Sequence, residues 1–183
     1  MGGNDKYMRK YYPDALPTKV QGRVITEMRT VAAATPPGCF MEVGVYQGGT
    51  AWHLCEVAKK QDRQVFLYDT FEGMTGPTAA DVDLRGVVAQ ELLAKQPRGR
   101  ESYDWAYAPK DEVERNLRST TYPPHLFHLV QGKVQDTIPG MIPDKISLLR
   151  LDTDWYESTR HELVHLFPRL ERGGGLRACP KTS

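Results

Sequence analysis

Two carboxylates stand two residues apart, Asp152 and Asp154, directly after the apolar run from Ile146 to Leu151. At the mouth of a buried strand such a pair suits a hard cation such as Mg²⁺, which takes oxygen ligands, or a general base. Asp154 or Ser158 could equally cap the helix that follows. A third acid, Glu42, stands inside the apolar run Cys39 to Val45, and Gly44, Tyr46, Gly48, Gly49 and Thr50 come after it. Glycines there permit a tight turn and let a ligand approach the backbone, and the next helix offers free N–H groups and a positive dipole end. The string is not the GxGxxG dinucleotide fingerprint, because Tyr46 stands at its second glycine, and it lacks the Gly-Lys-Ser/Thr of a phosphate-binding loop. Glu42 would repel a phosphate and attract a cation such as an amine or a sulfonium. Its other reading is a solvated acid at a strand end beside a turn.

Asp69 closes the run Gln64 to Tyr68, about 20 residues beyond the glycines, where an acid reaches ribose hydroxyls in dinucleotide folds. By itself a strand-ending Asp is also a turn or cap residue. Gly132, followed by Lys133 and Val134, comes after the run Leu126 to Val130. A glycine there lets an adenine ring lie against backbone, or serves an ordinary turn. Taken together, Glu42, the glycine loop and Asp69 point to a nucleoside-containing cofactor. A nicotinamide oxidoreductase is disfavoured by the absent fingerprint and by Glu42.

These residues need strands to carry them. The apolar runs alternate with helical periodicities, which predicts parallel βαβ units and an open α/β sheet with helices on both faces. Such sheets bind ligands at the carboxyl ends of their strands, where the acids and glycines fall. Val24, Ile25, Met28 and Ala32 predict a helix within an N-terminal arm over 1–37, stopped by Pro36-Pro37-Gly38. The stretch 70–110 is polar and rich in Gly and Pro, with a helix predicted near Val87 to Ala94. It reads as a lid-like insertion. Tyr103, Trp105 and Tyr107 belong to that lid or to a small satellite cluster. Val113 and Leu117 predict the inward face of a helix opened by Pro109. After Asp154 a long helix is expected, with Leu163, Leu166, Phe167 and Leu170 inward, Pro168 near its end and Gly173-Gly174-Gly175 as its stop.

Composition narrows the classes. The 183 residues predict a single domain, and 40% hydrophobic with 26% charged residues excludes whole-chain disorder,. A formal net charge of +1 gives no electrostatic footprint for nucleic acid,. No apolar run approaches the roughly 18 residues that span a bilayer, and the first residues lack the apolar centre of a secretory signal, so a cytoplasmic protein is expected. Cys39, Cys55 and Cys179 show no CxxC spacing and read as buried small hydrophobes,. His161 and His165 are spaced i, i+4 without a third ligand, and read as a solvated helix face.

With these residues in view, the chain resembles the macrocin and mycinamicin O-methyltransferase family, which methylates sugar hydroxyls in macrolide antibiotic biosynthesis. The strings that carry the resemblance are Phe40 to Thr50 (FMEVGVYQGGT), Leu67 to Met74 (LYDTFEGM), Val130-Gln131-Gly132 with Asp136 to Pro139, and Ile146 to Thr159 (ISLLRLDTDWYEST). The resemblance implies a Rossmann-like class I methyltransferase sheet with S-adenosylmethionine as methyl donor. Glu42 and Gly44 would then sit against the cofactor's amino acid part, Asp69 against its ribose, and Gly132, Lys133 and Val134 near its adenine, with Tyr46, Gly48, Gly49, Thr50, Thr70, Phe71 and Asp152 as further cofactor-binding residues. It also implies Mg²⁺ with Asp152 as first ligand, Asp152 or Asp154 as base, and a small-molecule hydroxyl acceptor as partner. A homo-oligomer is a candidate state. The family's further ligands are an aspartate pair after the next strand. Here Gly173-Gly174-Gly175-Leu176 runs into Arg177 to Ser183 without that pair, and the fifth and last two strands are expected to be missing, as in a C-terminally incomplete domain. Two functions follow: an O-methyltransferase, or a catalytically impaired cofactor-binding module.

Overall fold

The computed structural model describes residues 18–82, 86–94 and 106–178. Helix α1 (Thr18–Ala34) buries Ile25, Met28 and Ala32 at helical spacing,. Strand β1 (Cys39–Val43), helix α2 (Gly49–Ala58) and strand β2 (Val65–Asp69) follow. Within the insertion lies α3 (Ala89–Ala94), and after it α4 (Lys110–Arg118), with Val113 and Leu117 fully buried. The chain continues through β3 (Phe127–Gln131), the short α5 (Val134–Thr137), β4 (Ile146–Leu151), α6 (Tyr156–Leu166) and β5 (Leu170–Ala178).

The strands form one parallel sheet in the order β3-β2-β1-β4-β5. The chain winds outward from β1 to β3, then crosses to the other side of β1 for β4 and β5. The direction of winding reverses between β1 and β4, so the loops after these two strands part and leave a crevice. Side chains alternate between the two faces. Phe40, Leu67 and Leu148 pack with Met28, Leu54 and Leu117 under α1, α2 and α4. Met41, Tyr68 and Leu149 pack with Val134 and Leu166 under α5 and α6. Both faces are covered, which is why the strands read as nearly continuous apolar runs.

Three expectations are corrected. Gly173-Gly174-Gly175 does not stop a helix. The helix ends at Leu166 and tightens into a 3₁₀ turn over Phe167–Arg169, where Pro168 removes a backbone donor,. The glycines lie inside β5, so a fifth strand is present, and β3 and β5 are the two edges of the sheet among the described residues. A Cβ on Gly175 would stand 2.7 Å from Val31 and 2.8 Å from Leu148, so glycine lets α1 settle on this strand. The expected inward stripe of α6 is also wrong at Leu163 and Phe167, which are 38% and 55% exposed. Its buried residues are Ser158, Glu162 and Leu166.

Cys39 and Cys55 are buried free thiols, and burial pushes Cys39 up to about 12, which suits packing and not reactivity,. Cys179, Tyr103 and Trp105 lie outside the described residues, as does the part of the N-terminal arm before α1. No helix among the described residues is long and apolar enough to cross a membrane.

Candidate functional site

The crevice at the switch point is lined from four loops. Gly44 and Tyr46 follow β1, Asp69 ends β2 and Thr70, Gly73 and Met74 follow it, Gly132 to Gln135 follow β3, and Asp152 to Trp155 follow β4. A second hollow, at the opposite end of the sheet, is lined by Arg63 and Lys145. Its arginine is engaged by Thr35, Pro36 and Ser147 within the chain, so the strand-end crevice is the stronger candidate.

Gly44 sits where β1 and β4 separate. Its N–H donates to Tyr68 O at 2.9 Å, and Asp152 N–H donates to Val43 O at 2.8 Å. Gly44 has φ +84, and a Cβ there would lie 2.5 Å from the Asp152 carbonyl oxygen. Only glycine fits both the conformation and the space. The next residues are held by Asp69, whose Oδ2 accepts from Val45 N–H at 2.7 Å and Tyr46 N–H at 3.0 Å. Its Oδ1 accepts from Phe71 N–H at 2.8 Å. These bonds hold Tyr46 and Phe71 at positive φ, a conformation non-glycine residues rarely adopt,. Asp69 therefore shapes two of the pocket's loops at once.

Glu42 and Arg150 are opposite one another in the β1–β4 register, so both side chains leave the same face of the sheet,. Arg150 Nη1 donates to Glu42 Oε1 at 2.5 Å and Nη2 to Asp152 Oδ2 at 2.7 Å. Glu42 is fully buried, and Asp152 is 26% exposed at the side chain. Burial pushes the Glu42 carboxyl up, and the Arg150 guanidinium pulls it back,. The expected attraction of Glu42 for a bound cation is thus met inside the protein: the cation is Arg150, and its second arm holds Asp152.

A second buried acid lies beneath the same loop. Glu162 of α6 is fully buried and accepts from the Thr153 hydroxyl, at 2.8 Å on Oε1, with Oε2 at 3.1 Å. Burial pushes its carboxyl from 4.5 up to about 8. The sign for stability follows directly. Between about pH 4.5 and 8 the unfolded chain loses this proton while the folded chain keeps it, so the contribution is fully present below 4.5 and is lost as pH rises through 8,. Urea unfolding at pH 5 and pH 8 should show that fall, and Glu162→Gln should flatten it.

The insertion reaches the site as well. Trp155 Nε1 donates to Thr75 O at 2.6 Å, and Asp81 Oδ1 accepts from Tyr156 N–H at 2.6 Å. Asp81, held by Thr78, thereby caps α6 from another part of the chain,. The expected caps do not act: the Ser158 hydroxyl donates back to Trp155 O at 2.9 Å, and Asp154 lies in the pocket wall.

The macrocin O-methyltransferase (TylF) family model matches residues 19–176. The chain belongs to this family. Among curated relatives it is 30% identical over 150 residues to the 8-demethyl-8-(2,3-dimethoxy-α-L-rhamnosyl)-tetracenomycin-C 4'-O-methyltransferase of Streptomyces olivaceus, covering 80% of this chain and 54% of that protein. It is 29% identical over 141 residues to the demethyldecarbamoylnovobiocin O-methyltransferase of Streptomyces niveus, covering 75% and 50%. The mycinamicin III 3''-O-methyltransferase of Micromonospora griseorubida matches at 28%, covering 75% and 53%. The chain spans about half the length of these relatives. The solved structure of the O-methyltransferase NovP superposes with a TM-score of 0.69 at 24% identity, covering 85% of this chain and 64% of that one. The calicheamicin methyltransferase CalS11 gives 0.61 at 18%, covering 93% and 74%. Both share the fold.

Within this macrocin O-methyltransferase family fold, the pocket brings together Gly44, Tyr46, Asp69, Thr70, Gly132, Lys133, Val134, Asp152 and Asp154. It does not bring Glu42, Gly48, Gly49, Thr50 or Phe71 to its surface. Gly48 and Gly49 are buried, and a Cβ on Gly48 would meet Val113 of α4 at 3.2 Å. Asn116 of α4 also donates to Gln47 O at 3.0 Å, so this turn serves helix packing. Phe71 packs in the main core. Sequence reading missed Arg150, Thr153, Glu162 and Asp81. A charged residue inside an apolar strand was the one available signal, at Arg150. His161 bonds Ile138 O at 2.9 Å, and its ring lies 4.5 Å from that of His165. Among the described residues no group of three or more His, Cys, Asp or Glu is placed to hold a metal.

Proposed function

We propose that this chain forms the cofactor side and the acceptor-facing acids of an S-adenosylmethionine-dependent O-methyltransferase acting on a small-molecule hydroxyl, a natural-product sugar by preference. The observation that carries the reading is convergence. The loops after β1, β2, β3 and β4, all inside the family match, meet at one pocket. The relatives named above are all O-methyltransferases, and one is named for a rhamnosyl-bearing substrate. Self-association belongs to the same reading and rests on the family resemblance alone.

In this reading Asp69 receives the ribose hydroxyls. A carboxylate has about four acceptor positions; three take backbone amides, and the fourth has only the Thr70 hydroxyl at 3.4 Å, whose shorter bond, 2.6 Å, goes to Gly73 O,. Gly44 lets the cofactor's amino acid part pass close to the backbone, and Gly132 to Val134 flank its base. The donor set also suits Mg²⁺, which takes one or two carboxylates and keeps several waters. Asp152 would hold it through the carboxylate whose Oδ2 is steadied by Arg150, with Asp154 beside it. When bound, S-adenosylmethionine supplies a methyl group on a sulfonium, and Mg²⁺ lowers the pKa of the acceptor hydroxyl. Asp154, or Asp152, takes the acceptor's proton as its oxygen attacks. The loops hold the reacting groups in line, which is the main service a displacement requires.

Isothermal titration with S-adenosylmethionine, with and without Mg²⁺, tests this. Micromolar binding is expected, and Asp69→Ala should weaken it about 10- to 100-fold, the range for a hydrogen bond to a charged group. Asp69→Asn, which keeps one acceptor oxygen for the loop amides, should lose less. Absence of binding by the folded protein would sink the proposal. Binding without turnover on any sugar-hydroxyl acceptor would identify the cofactor-binding module instead.

A further inference from the structure

Glu162 is a costly residue where it stands. It is fully buried on the inward face of α6, one turn from Ser158 and one from Leu166. Desolvation drives its carboxyl up to about 8, and the bond from the Thr153 hydroxyl opposes that rise. A buried acid with a neutral partner contributes less to folding than an apolar side chain of similar volume would. The acid does one thing an apolar group cannot do: it grips a hydroxyl. That hydroxyl belongs to Thr153, the residue between Asp152 and Asp154, and Thr153 itself lines the pocket. Thr159 adds a contact to the same oxygen at 3.3 Å. Arg150 steadies Asp152 from the sheet side, and Glu162 holds the next residue from the helix side. Arg150 and Glu162 thus brace one short loop from opposite flanks.

We propose that Glu162 is a positioning residue for this site: through the Thr153 hydroxyl it sets the direction in which Asp152 and Asp154 face the pocket. This rests on the methyltransferase reading given above. It predicts a separation of function from stability, because removing a buried acid relieves a cost to folding while it loosens the loop.

The test uses Glu162→Met, Thr153→Val and Glu162→Gln in the full chain. Each is titrated with S-adenosylmethionine and melted by heat. Glu162→Met and Thr153→Val should each bind about tenfold more weakly, and the double variant should be no weaker than the worse single, because both remove one shared contact. Glu162→Met should melt at the wild-type temperature or above it. Glu162→Gln keeps a hydrogen-bonding group of the same shape and should stay within about threefold of wild-type affinity. A purely structural brace would instead lower melting temperature and affinity together. If Glu162→Met does not fold, Thr153→Val against Glu162→Gln carries the same comparison. Wild-type affinity in both Glu162→Met and Thr153→Val overturns this proposal alone. A folded wild-type protein that binds no S-adenosylmethionine overturns the methyltransferase reading, and the proposal with it.

Discussion

Arg150→Met should cost about 3–5 kcal/mol of stability, the usual penalty for stripping one partner from a buried ion pair. For a chain of this size that lowers the melting temperature by about 6–20 °C. The argument starts from Glu42, which is fully buried in the centre of the sheet. Its Oε1 has Arg150 at 2.5 Å, and its Oε2 has no hydrogen-bond partner among the described residues. Methionine matches much of arginine's length and none of its charge. Glu42 would then be desolvated with no counter-charge and would take up a proton. Asp152 would lose its 2.7 Å bond in the same step, so cofactor affinity should fall as well. The double variant Glu42→Met/Arg150→Met separates the two effects. Replacing both partners by apolar groups should restore most of the stability, because a buried pair and a packed apolar pair are often nearly equivalent. It should not restore binding. Calorimetric melting of the two single variants and the double variant decides the matter. An Arg150→Met protein that melts with the wild type would refute this account of the sheet centre.

Gly44→Ala should destabilise the chain by about 2–4 kcal/mol and abolish cofactor binding, by combining a left-handed backbone cost with crowding. The new methyl would stand 2.5 Å from the Asp152 carbonyl oxygen and 2.7 Å from its carbonyl carbon. Neither belongs to a flexible side chain that could turn aside. The loops after β1 and β4 would have to part, which breaks the ladder bonds that end both strands. Gly173→Ala provides the control. Its φ is +81, close to the +84 of Gly44, and nothing lies within 4 Å of its Cβ position. It should show only the backbone cost, about 1–2 kcal/mol. The difference between the two variants in urea unfolding measures the crowding at the site. Equal values for both would mean that the β1 and β4 loops yield easily.

Much of the architecture is legible in the residues. Alternating apolar runs and helical periods mark a parallel α/β sheet, because a strand buried on both faces has few polar positions to show. Ile146 to Leu151 is read correctly to the residue. The acids and glycines at the strand ends are legible too, since chain order alone places them at one end of such a sheet. Tyr46, Asp69, Gly132, Asp152 and Asp154 do meet there.

What the residues hide is partnership. Glu42 reads as a ligand for a cation because its neighbour in the next strand, Arg150, lies 108 residues away and only strand register joins them. Gly173-Gly174-Gly175 reads as a helix stop because glycine is common there, yet the three lie in β5, where a Cβ on Gly175 would crowd Val31 of α1 and Leu148 of β4. The α6 stripe is misread because its inward face carries Ser158 and Glu162, and hydrophobic periodicity cannot see a polar residue that is buried for its contacts. Local pattern and chain order were thus enough to determine the sheet, its switch point and the set of acids around it. Which acid faces the pocket, which is spent on a neighbour and which braces the loop from below was decided only by tertiary packing. Those roles depend on desolvation and, for Glu42 and Arg150, on a contact across 108 residues of chain, and neither is written in local spacing.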